Sequence, residues 1–303
     1  MRVRGPGSLS STPPGELAAR VGAVIVNYNA KDHLLECVAS LEAAGVTSIV
    51  VADNASTDGS EVPLAEKHPD TVFLQTGANL GYGGAANRGA RSTDREFLLV
   101  CNPDTLFDAK APAHLVQALL DDEAAGAAGP RVDTPSGDVY PSARTFPSVT
   151  DSIGHGFLGL IWRNNPWSRR YLMSDRALDR AQTVDWISGS CMMLRRSAFD
   201  EIRGFDESFF MYAEDVDLCR RLRDAGWSTL YMPGARVVHV QGVSSARHPY
   251  RMIVAHHRSL FRFATLTAGG GRDRLLLPVV ALGLGTRAAL LAAGRAISGR
   301  RGK

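Results

Sequence analysis

Short apolar runs that end in polar residues recur through the first hundred residues of this 303-residue chain. Four of these runs have the length and apolar content of buried strands. They cover residues 21–26, 48–52, 71–74 and 96–101. Residues 31–44, between the first two runs, carry leucine and valine at helical spacing. Strands that alternate with helices at this spacing predict an α/β fold with a single, mostly parallel sheet flanked by helices.

The polar residues that follow these runs are candidates for a binding site. They are Asn27, Tyr28, Asp53, Asn102 and Asp104. In an open α/β sheet, ligands bind at the carboxyl ends of the strands. A carboxylate such as Asp104, which emerges there from a buried strand, suits a hard divalent cation that bridges phosphates. A plain Asn-Pro-Asp turn without a metal is the alternative explanation.

Two adjacent carboxylates, Glu214 and Asp215, open an amphipathic helix predicted over residues 213–225. On a helical wheel Asp215 falls among the apolar residues. Glu214 falls on the polar face with Asp217 and Arg221, where opposite charges would pair in water. Because an acid on the buried side is costly, it needs a reason. A general base that faces a cleft is one reason, and an acid that stabilises the helix N-terminus is the other.

Two further features allow more than one interpretation. Residues 81–86 match the pattern G-x-G-x-x-A, but they follow the third strand, so we do not interpret them as a dinucleotide fingerprint. A close backbone approach to a ligand explains the glycines, and so does a flexible loop before a helix that starts near residue 85. His239 lies in an apolar run, where it is either a core residue or the completion of a metal shell with Asp104.

The charge of the chain is unevenly distributed. The formal net charge is +3, yet from Arg247 onward 11 Arg or Lys residues stand against one acid, Asp273. A basic end that also carries apolar residues at helical spacing predicts interfacial attachment to an anionic membrane surface. The apolar run 275–286 has twelve residues, too few to cross a bilayer. A basic helix packed on the main domain is the alternative, and no nucleic-acid motif accompanies the charge.

The composition divides the chain into three expected parts. Residues 1–19 are rich in Gly, Pro and Ser without a signal-peptide core, which predicts a disordered leader. Residues 20–245 form the α/β domain, and residues 246–303 form a basic helical extension. The four cysteines are widely spaced beside apolar residues, which is typical of reduced core thiols in a cytosolic protein.

Six segments together resemble the family 2 inverting glycosyltransferases of the GT-A fold. They are residues 24–29, 50–59, 79–89, 99–105, 186–194 and 204–222. They are also similar to bacterial rhamnosyltransferases, including the actinobacterial type that acts on N-acetylglucosaminyl-diphospho-decaprenol. The resemblance implies a GT-A catalytic domain over about residues 21–245.

The resemblance also implies roles for single residues. Asp215 matches the catalytic base of the family. Asn102 and Asp104 occupy the positions of its metal-binding DxD motif, which leaves Asp104 as the main carboxylate ligand of Mg²⁺ or Mn²⁺. His239 matches a histidine that ligates the metal in some relatives. The other implied positions are Tyr28, Asp53, Asn79, Asn87 and Asn102 for the nucleotide sugar, with Trp186 and Glu214 on the acceptor side.

The implied activity is inverting transfer of a sugar onto a polyprenyl-diphospho-GlcNAc acceptor in cell-wall (arabinogalactan linker) biosynthesis. The implied donor is dTDP-L-rhamnose, and the implied location is the inner face of the plasma membrane. Three alternatives stay open. The first is another nucleotide sugar or acceptor. The second is a sugar nucleotidyltransferase, which should have a Gly-rich, Arg-containing loop where residues 27–30 stand. The third is a non-catalytic nucleotide-binding protein, which would not need Asp215.

Overall fold

The structure, a computed structural model, describes residues 12–146, 162, 165–171, 173, 178–240 and 249–301. The strands are β1 (Val21–Asn27), β2 (Ser48–Asp53), β3 (Val72–Gln75), β4 (Phe97–Cys101), β5 (Thr105–Phe107), β6 (Ala125–Asp133), β7 (Val139–Tyr140), β8 (Ala143–Arg144), β9 (Gln182–Val184), β10 (Trp186–Ile187), β11 (Cys191–Arg195) and β12 (Ser228–His239). The helices are α1 (Pro14–Ala18), α2 (Asp32–Ala43), α3 (Glu61–Lys67), α4 (Gly81–Ala90), α5 (Ala111–Asp121), α6 (Pro166–Tyr171), α7 (Arg196–Glu201), α8 (Glu214–Asp224), α9 (Pro249–Thr267) and α10 (Gly271–Arg301).

One large sheet organises the domain and confirms the α/β class. Its strand order is β3-β2-β1-β4-β11-β6-β12-β5, with β7 added beside β6 and β9 beside β12. The first four strands run parallel, as the alternation of strands and helices predicts. Beyond β4 the sheet is mixed, because β11 is antiparallel to both of its neighbours. Strands β8 and β10 form a separate antiparallel pair.

Burial on both faces of the sheet explains why its central strands are apolar throughout. In β1, Val21, Ala23 and Ile25 pack into one hydrophobic cluster. The alternate residues Val24 and Val26 pack into a second cluster on the opposite face. Successive strand residues point to opposite faces, so a continuous apolar run is what a doubly covered strand needs. The four cysteines are buried and free, as predicted.

The glycine-rich segment is helical from Gly81 onward, so the expected loop before residue 85 is wrong. Gly81 has a φ of +79°, and a Cβ there would lie 2.1 Å from the backbone oxygen of Phe210. A Cβ at Gly83 would lie 2.9 Å from Cβ of Phe205. The glycines thus let α4 approach the chain around residues 205–210, where a larger residue would have no room.

The bounds and number of several strands differ from the sequence prediction. The expected strand over residues 186–194 is two strands, β10 and β11, separated by a turn. The two strands expected after residue 228 are one long strand, β12, with an irregular register between Met232 and Arg236. Strand β6 was missed because its small residues lack β-branched character. Its Gly129 leaves space for Ile187, whose Cγ2 would lie 2.7 Å from an added Cβ.

Part of the expected disordered leader is ordered. Residues 14–18 form α1, where Leu17 and Ala18 are buried, so the leader prediction is wrong for this segment. Apolar contacts with the domain core hold the helix despite its Gly- and Pro-rich surroundings. Residues 1–11 lie outside the described part of the chain.

The basic extension contains two helices that pack on each other, α9 and α10. Helix α10 runs for 31 residues and continues through Pro278. Its stretch Asp273–Ala296 has a mean hydropathy of 1.9 over its best window and, by length and composition alone, could cross a membrane. The helix continues beyond the apolar run of twelve residues, so that run does not set the length of the helix.

We expect Gly81→Ala to destabilise the fold more than Gly77→Ala. Both glycines have a φ of +79°, so both substitutions carry the left-handed penalty of about 1–2 kcal/mol. Only position 81 adds a backbone overlap, since a Cβ at Gly77 meets nothing within 4 Å. Overpacking of this kind should cost a further amount of about 1–3 kcal/mol. Urea unfolding of both variants measures the difference, and equal losses would contradict the role given to Gly81.

Candidate active site

The polar residues at the strand ends meet at one edge of the sheet, as predicted. Strands β2, β1 and β4 are neighbours, and Asn27 is in register with Asp53. Asn27 Nδ2 donates to Asp53 Oδ1 at 2.7 Å, and both side chains are buried. Tyr28 is half-buried beside them. The carboxyl ends of the parallel strands therefore form one polar surface.

Asp53 organises the loop that follows β2. Its Oδ2 accepts a hydrogen bond from the backbone N–H of Ser56 at 2.9 Å. Its Oδ1 accepts from the hydroxyl of Ser56 at 2.5 Å, and its backbone oxygen accepts from Thr76 Oγ1 at 2.8 Å. The side chain of Asp53 thus fixes the backbone three residues further along the loop. The nucleotide contacts assigned to Tyr28 and Asp53 stay predictions.

The two asparagines of the glycine-rich segment occupy different surroundings. Asn79 is exposed, and its Oδ1 accepts from the backbone N–H of Gly81 at 3.0 Å. Asn87 is buried and bonds twice to the backbone of Phe205, with Oδ1 as acceptor and Nδ2 as donor, both at 2.9 Å. Its Nδ2 also donates to Glu207 Oε1 at 3.0 Å. Asn87 thus holds the chain that leads to α8, and donor contacts of both asparagines stay predictions.

The structure brings together Asn102, Asp104 and His239. Strand β5 pairs with β12 so that Thr105, next to Asp104, lies opposite His239. His239 Nε2 lies 3.0 Å from Asp104 Oδ1 and 3.0 Å from Asn102 Nδ2. The second ring nitrogen, Nδ1, is buried and has no hydrogen-bond partner among the residues that the structure describes.

This arrangement fits a divalent cation. A ring nitrogen cannot donate to Asp104 and accept from Asn102 at the same time. A carboxylate, an imidazole and an amide oxygen, after a flip of the Asn102 side chain, are ligands that Mn²⁺ or Mg²⁺ accepts. Within the described residues no cluster of three His, Cys, Asp or Glu side chains could hold a metal. The candidate set is therefore these two residues with the amide of Asn102.

Asp215 stands at the start of α8, and two backbone N–H groups fix its half-buried carboxylate. Oδ2 accepts from Gly189 at 2.9 Å, and Oδ1 accepts from Val216 at 2.9 Å. Burial raises the pKa of Asp215, while the bonds from Gly189 and Val216 and the charge of Arg144 oppose that rise. A carboxylate of raised pKa that is still held by donors is suited to accept a proton.

Glu214 is buried, so its predicted place on a solvated polar face is wrong. Within the described part of the chain its Oε2 has no hydrogen-bond partner. Burial, and then the charge of Asp215, raise the pKa of Glu214 well above its ordinary value. The helical wheel failed because Tyr212 and Ala213 both have left-handed backbones and turn the chain over the first turn of α8.

Asp217 is buried as well, although it was expected to pair in water. Its Oδ2 accepts from Arg221 Nε at 2.6 Å, and Oδ1 lies 3.3 Å from Arg220. Arg221 also donates to the backbone oxygens of Ile202 and Gly204 at 2.8 and 2.7 Å. The predicted i,i+4 pair therefore exists, and it anchors the turn before the 204–213 segment.

Trp186 is buried rather than open to a cleft. Its Nε1 donates to the backbone oxygen of Thr145 at 2.9 Å, and the guanidinium of Arg144 lies 5.0 Å from its ring centroid. The acceptor-side roles of Trp186 and Glu214 stay predictions. Arg144 was missed because its segment has no regular pattern; only its Pro- and Arg-rich composition signals it.

Tyr82 is another residue that sequence reasoning passed over. Its hydroxyl donates to the backbone oxygen of Gly189, the residue whose N–H holds Asp215. The backbone of Gly189 thus connects α4 to the carboxylate of Asp215. A signal was available in the aromatic residue set within the glycine-rich segment.

Comparison with known proteins identifies the family. The model of Glycosyl transferase family 2 matches residues 23–203, which include the strand ends and the turn at Gly189. This chain belongs to glycosyltransferase family 2. A related model, Glycosyl transferase family group 2, matches residues 162–260.

Two characterised relatives of this family 2 glycosyltransferase are informative. The N-acetylglucosaminyl-diphospho-decaprenol L-rhamnosyltransferase of Mycobacterium tuberculosis is 41% identical over 253 residues, covering 79% of this chain and 82% of the relative. The rhamnosyltransferase WbbL of Escherichia coli is 28% identical over 265 residues, covering 79% and 90%.

Solved structures confirm the GT-A fold of this glycosyltransferase. The mannosyltransferase PcManGT of Pyrobaculum calidifontis, in complex with GDP-Man and Mn²⁺, is similar with a TM-score of 0.58 and 19% identity. That match covers 92% of this chain and 80% of the neighbour. GalNAc-T7 with UDP, GalNAc and Mn²⁺ gives a TM-score of 0.55 at 15% identity, covering 73% and 43%.

We expect Glu214→Gln to gain stability over the wild type as the pH rises. The folded wild type keeps a proton on Glu214 that the unfolded chain releases above the ordinary glutamate pKa of 4.5. Its stability therefore falls from that pH up to the raised pKa, by at most about 1.4 kcal/mol per pH unit. Glutamine carries no such proton.

Urea unfolding between about pH 5 and pH 8 measures the difference between the two proteins. Because Glu214 and Asp215 interact, the difference reports the titration of this pair with and without Glu214. Glu66→Gln is the matched control, because it removes a carboxyl group from an exposed position. Parallel pH profiles for Glu214→Gln and the wild type would show that Glu214 ionises normally in the fold.

Proposed function

We propose that this family 2 glycosyltransferase transfers L-rhamnose from dTDP-L-rhamnose to a polyprenyl-diphospho-GlcNAc acceptor in cell-wall biosynthesis. The observation that carries the proposal is the 41% identity with the mycobacterial enzyme named for this sugar and acceptor. The match covers 82% of that enzyme, so it extends beyond the nucleotide-binding half of the domain. The Escherichia coli relative is also a rhamnosyltransferase.

In this proposal Asp215 is the general base. The acceptor hydroxyl loses its proton to the carboxylate as its oxygen attacks the anomeric carbon of the donor. The bond to the nucleoside diphosphate breaks on the opposite side, so one displacement inverts the anomeric centre. The hydrogen bonds from Gly189 and Val216 support this role because they hold the carboxylate before the substrate arrives.

We propose that Asp104, His239 and the amide of Asn102 hold a divalent cation. The cation would supply Lewis-acid stabilisation of the charge that develops on the leaving diphosphate. The geometry supports this because the side chains of Asp104 and Asn102 both lie 3.0 Å from Nε2 of His239. The two GT-A neighbours with Mn²⁺ agree with a metal of this kind.

We further propose that α10 attaches the enzyme to the inner face of the plasma membrane. Four large apolar residues recur along one side of the helix, and no described residue of the chain covers them. They are Leu275, Val279, Leu282 and Leu290, with exposed fractions of 78%, 63%, 73% and 57%. An exposed stripe of this length beside arginines suits a lipid surface with anionic headgroups. A lipid-linked acceptor would be reached there.

We expect the chain to float with anionic phospholipid vesicles in a density gradient. Leu282→Glu should reduce the floating fraction, because a charge replaces the second most exposed apolar residue of the stripe. Val62→Glu is the matched control, since Val62 is 63% exposed on α3, away from the extension. Attachment is refuted if the wild type stays at the bottom of the gradient.

Turnover of a panel of nucleotide sugars tests the activity itself. With polyprenyl-diphospho-GlcNAc as acceptor, we expect transfer from dTDP-L-rhamnose and little from UDP-galactose, UDP-GlcNAc or GDP-mannose. A chelator should stop transfer, and added Mg²⁺ or Mn²⁺ should restore it. Efficient use of another donor, with none of dTDP-rhamnose, would remove the rhamnose assignment.

Asp215→Asn distinguishes catalysis from binding in the same assay. Loss of the base should lower the turnover rate by about 10²–10⁴-fold while dTDP binding persists. Asp224→Asn on the same helix makes the same change at an exposed position and should leave the rate unchanged. Normal turnover by Asp215→Asn would rule out the mechanism.

A further inference from the structure

Helix α9 packs directly on the chain that leads to the catalytic base. Ser259 Oγ donates to the backbone oxygen of Met211 at 2.8 Å. The ring of His256 meets the ring of Tyr212 edge to face, with 5.1 Å between centroids. Tyr212 is three residues before Asp215, so α9 brings its side chains to the side of the active site.

Four basic side chains gather where α9, α10 and β8 approach this chain. We call Arg144, His256, His257 and Arg287 the basic cluster. Arg287 Nη1 lies 3.1 Å from His257 Nε2, and the rings of His256 and His257 are 5.3 Å apart. The charge of Arg144 acts on both His256 and Asp215. The cluster therefore adjoins the base.

The hydrogen bonds define the protonation of His257. Nδ1 lies 2.7 Å from the backbone oxygen of Ile253, an acceptor, so Nδ1 carries the proton. Nε2 then has a lone pair, to which Arg287 donates. The imidazole is neutral, and the guanidinium of Arg287 supplies the positive charge at this position.

The electrostatic environment of the cluster is positive. Burial first, and then the charges of neighbouring basic groups led by Arg287, lower the pKa of His256 to about 4. A half-buried region in which guanidinium groups disfavour further protonation is one that attracts an anion.

The two faces of α10 differ in burial. The half-buried face carries Leu277, Val280, Leu284, Arg287 and Leu291, at spacings of three and four. This face contains the guanidinium that contacts α9. The opposite face is the exposed apolar stripe already described. Arg287 thus lies on the face of α10 that packs on α9, opposite the apolar stripe.

We propose that the basic cluster binds the diphosphate of the lipid-linked acceptor, with Arg287 as its principal ligand. The proposal rests on the proposed function and gives its acceptor a binding site. A polyprenyl-diphospho sugar has a tail, an anion and a sugar in that order. The protein presents an apolar stripe, a basic cluster and a base in the same order. Guanidinium groups bind phosphate oxygens through paired N–H donors. The neutral imidazole of His257 accepts a hydrogen bond from Arg287 and so holds its guanidinium in place.

Direct binding of farnesyl diphosphate to the full chain in detergent micelles tests this site without any turnover. We expect Arg287→Gln to weaken binding at least about tenfold, since a charged hydrogen-bond partner is lost. Arg287→Lys keeps the charge and should weaken it less. Arg295→Gln is the matched control, because it removes an exposed arginine from the same helix. Farnesol, which lacks the diphosphate, should bind all four proteins equally.

Binding of dTDP separates the two possible sources of a diphosphate. If Arg287→Gln weakens dTDP and leaves farnesyl diphosphate unchanged, the cluster serves the donor and the proposal is overturned. Equal farnesyl diphosphate affinities in Arg287→Gln and the wild type overturn it too, as does an equal loss in Arg295→Gln. Because none of these measurements involves rhamnose transfer, failure of the donor assay leaves the site to be judged on binding alone.

Discussion

The close contact between α4 and the 204–213 segment is the constraint on which the active site depends. Gly81 has no side chain where the backbone of Phe210 passes, and Tyr82 N–H donates to that same backbone oxygen at 2.9 Å. Asn87 holds Phe205 from both sides. Because the segment leads into α8, where Asp215 is the second residue, these bonds help to position that carboxylate. The glycine-rich pattern therefore serves packing first, and any ligand approaches a surface that this packing has built.

The same region makes two adjacent carboxylates behave differently. Asp215 receives two backbone N–H donors, whereas Oε2 of Glu214 receives none. In a poorly solvated site two neighbouring charges repel strongly, so the group without donors retains its proton. Glu214 then contributes a neutral side chain, and the negative charge stays on Asp215. Position on the helix could not reveal this division, because it arises from the 204–213 segment that covers the first turn.

The regular half of the fold follows from the sequence, and the remainder depends on distant contacts. Strand β1 and the polar residues at the strand ends were predictable because period and composition are local signals. Strand β6 was not, since its small residues are selected by packing partners such as Ile187. The sequence offered the meeting of Asp104 with His239 only as one of two interpretations of that histidine, because 135 positions separate the two residues. The cluster around Arg287 needs the folding back of α10 onto α9, which no local pattern encodes.

The backbone of Gly189 bonds on both sides, since its carbonyl oxygen accepts from the hydroxyl of Tyr82 and its N–H donates to Asp215. With Oδ1 also bonded to Val216, the carboxylate cannot turn about its own axis without losing a donor. If Asp215 is the base, as proposed above, a carboxylate that cannot turn accepts protons from one direction only. The orientation of the bound acceptor then determines the regioselectivity. The hydroxyl of the sugar ring that points along this direction is the one that becomes glycosylated.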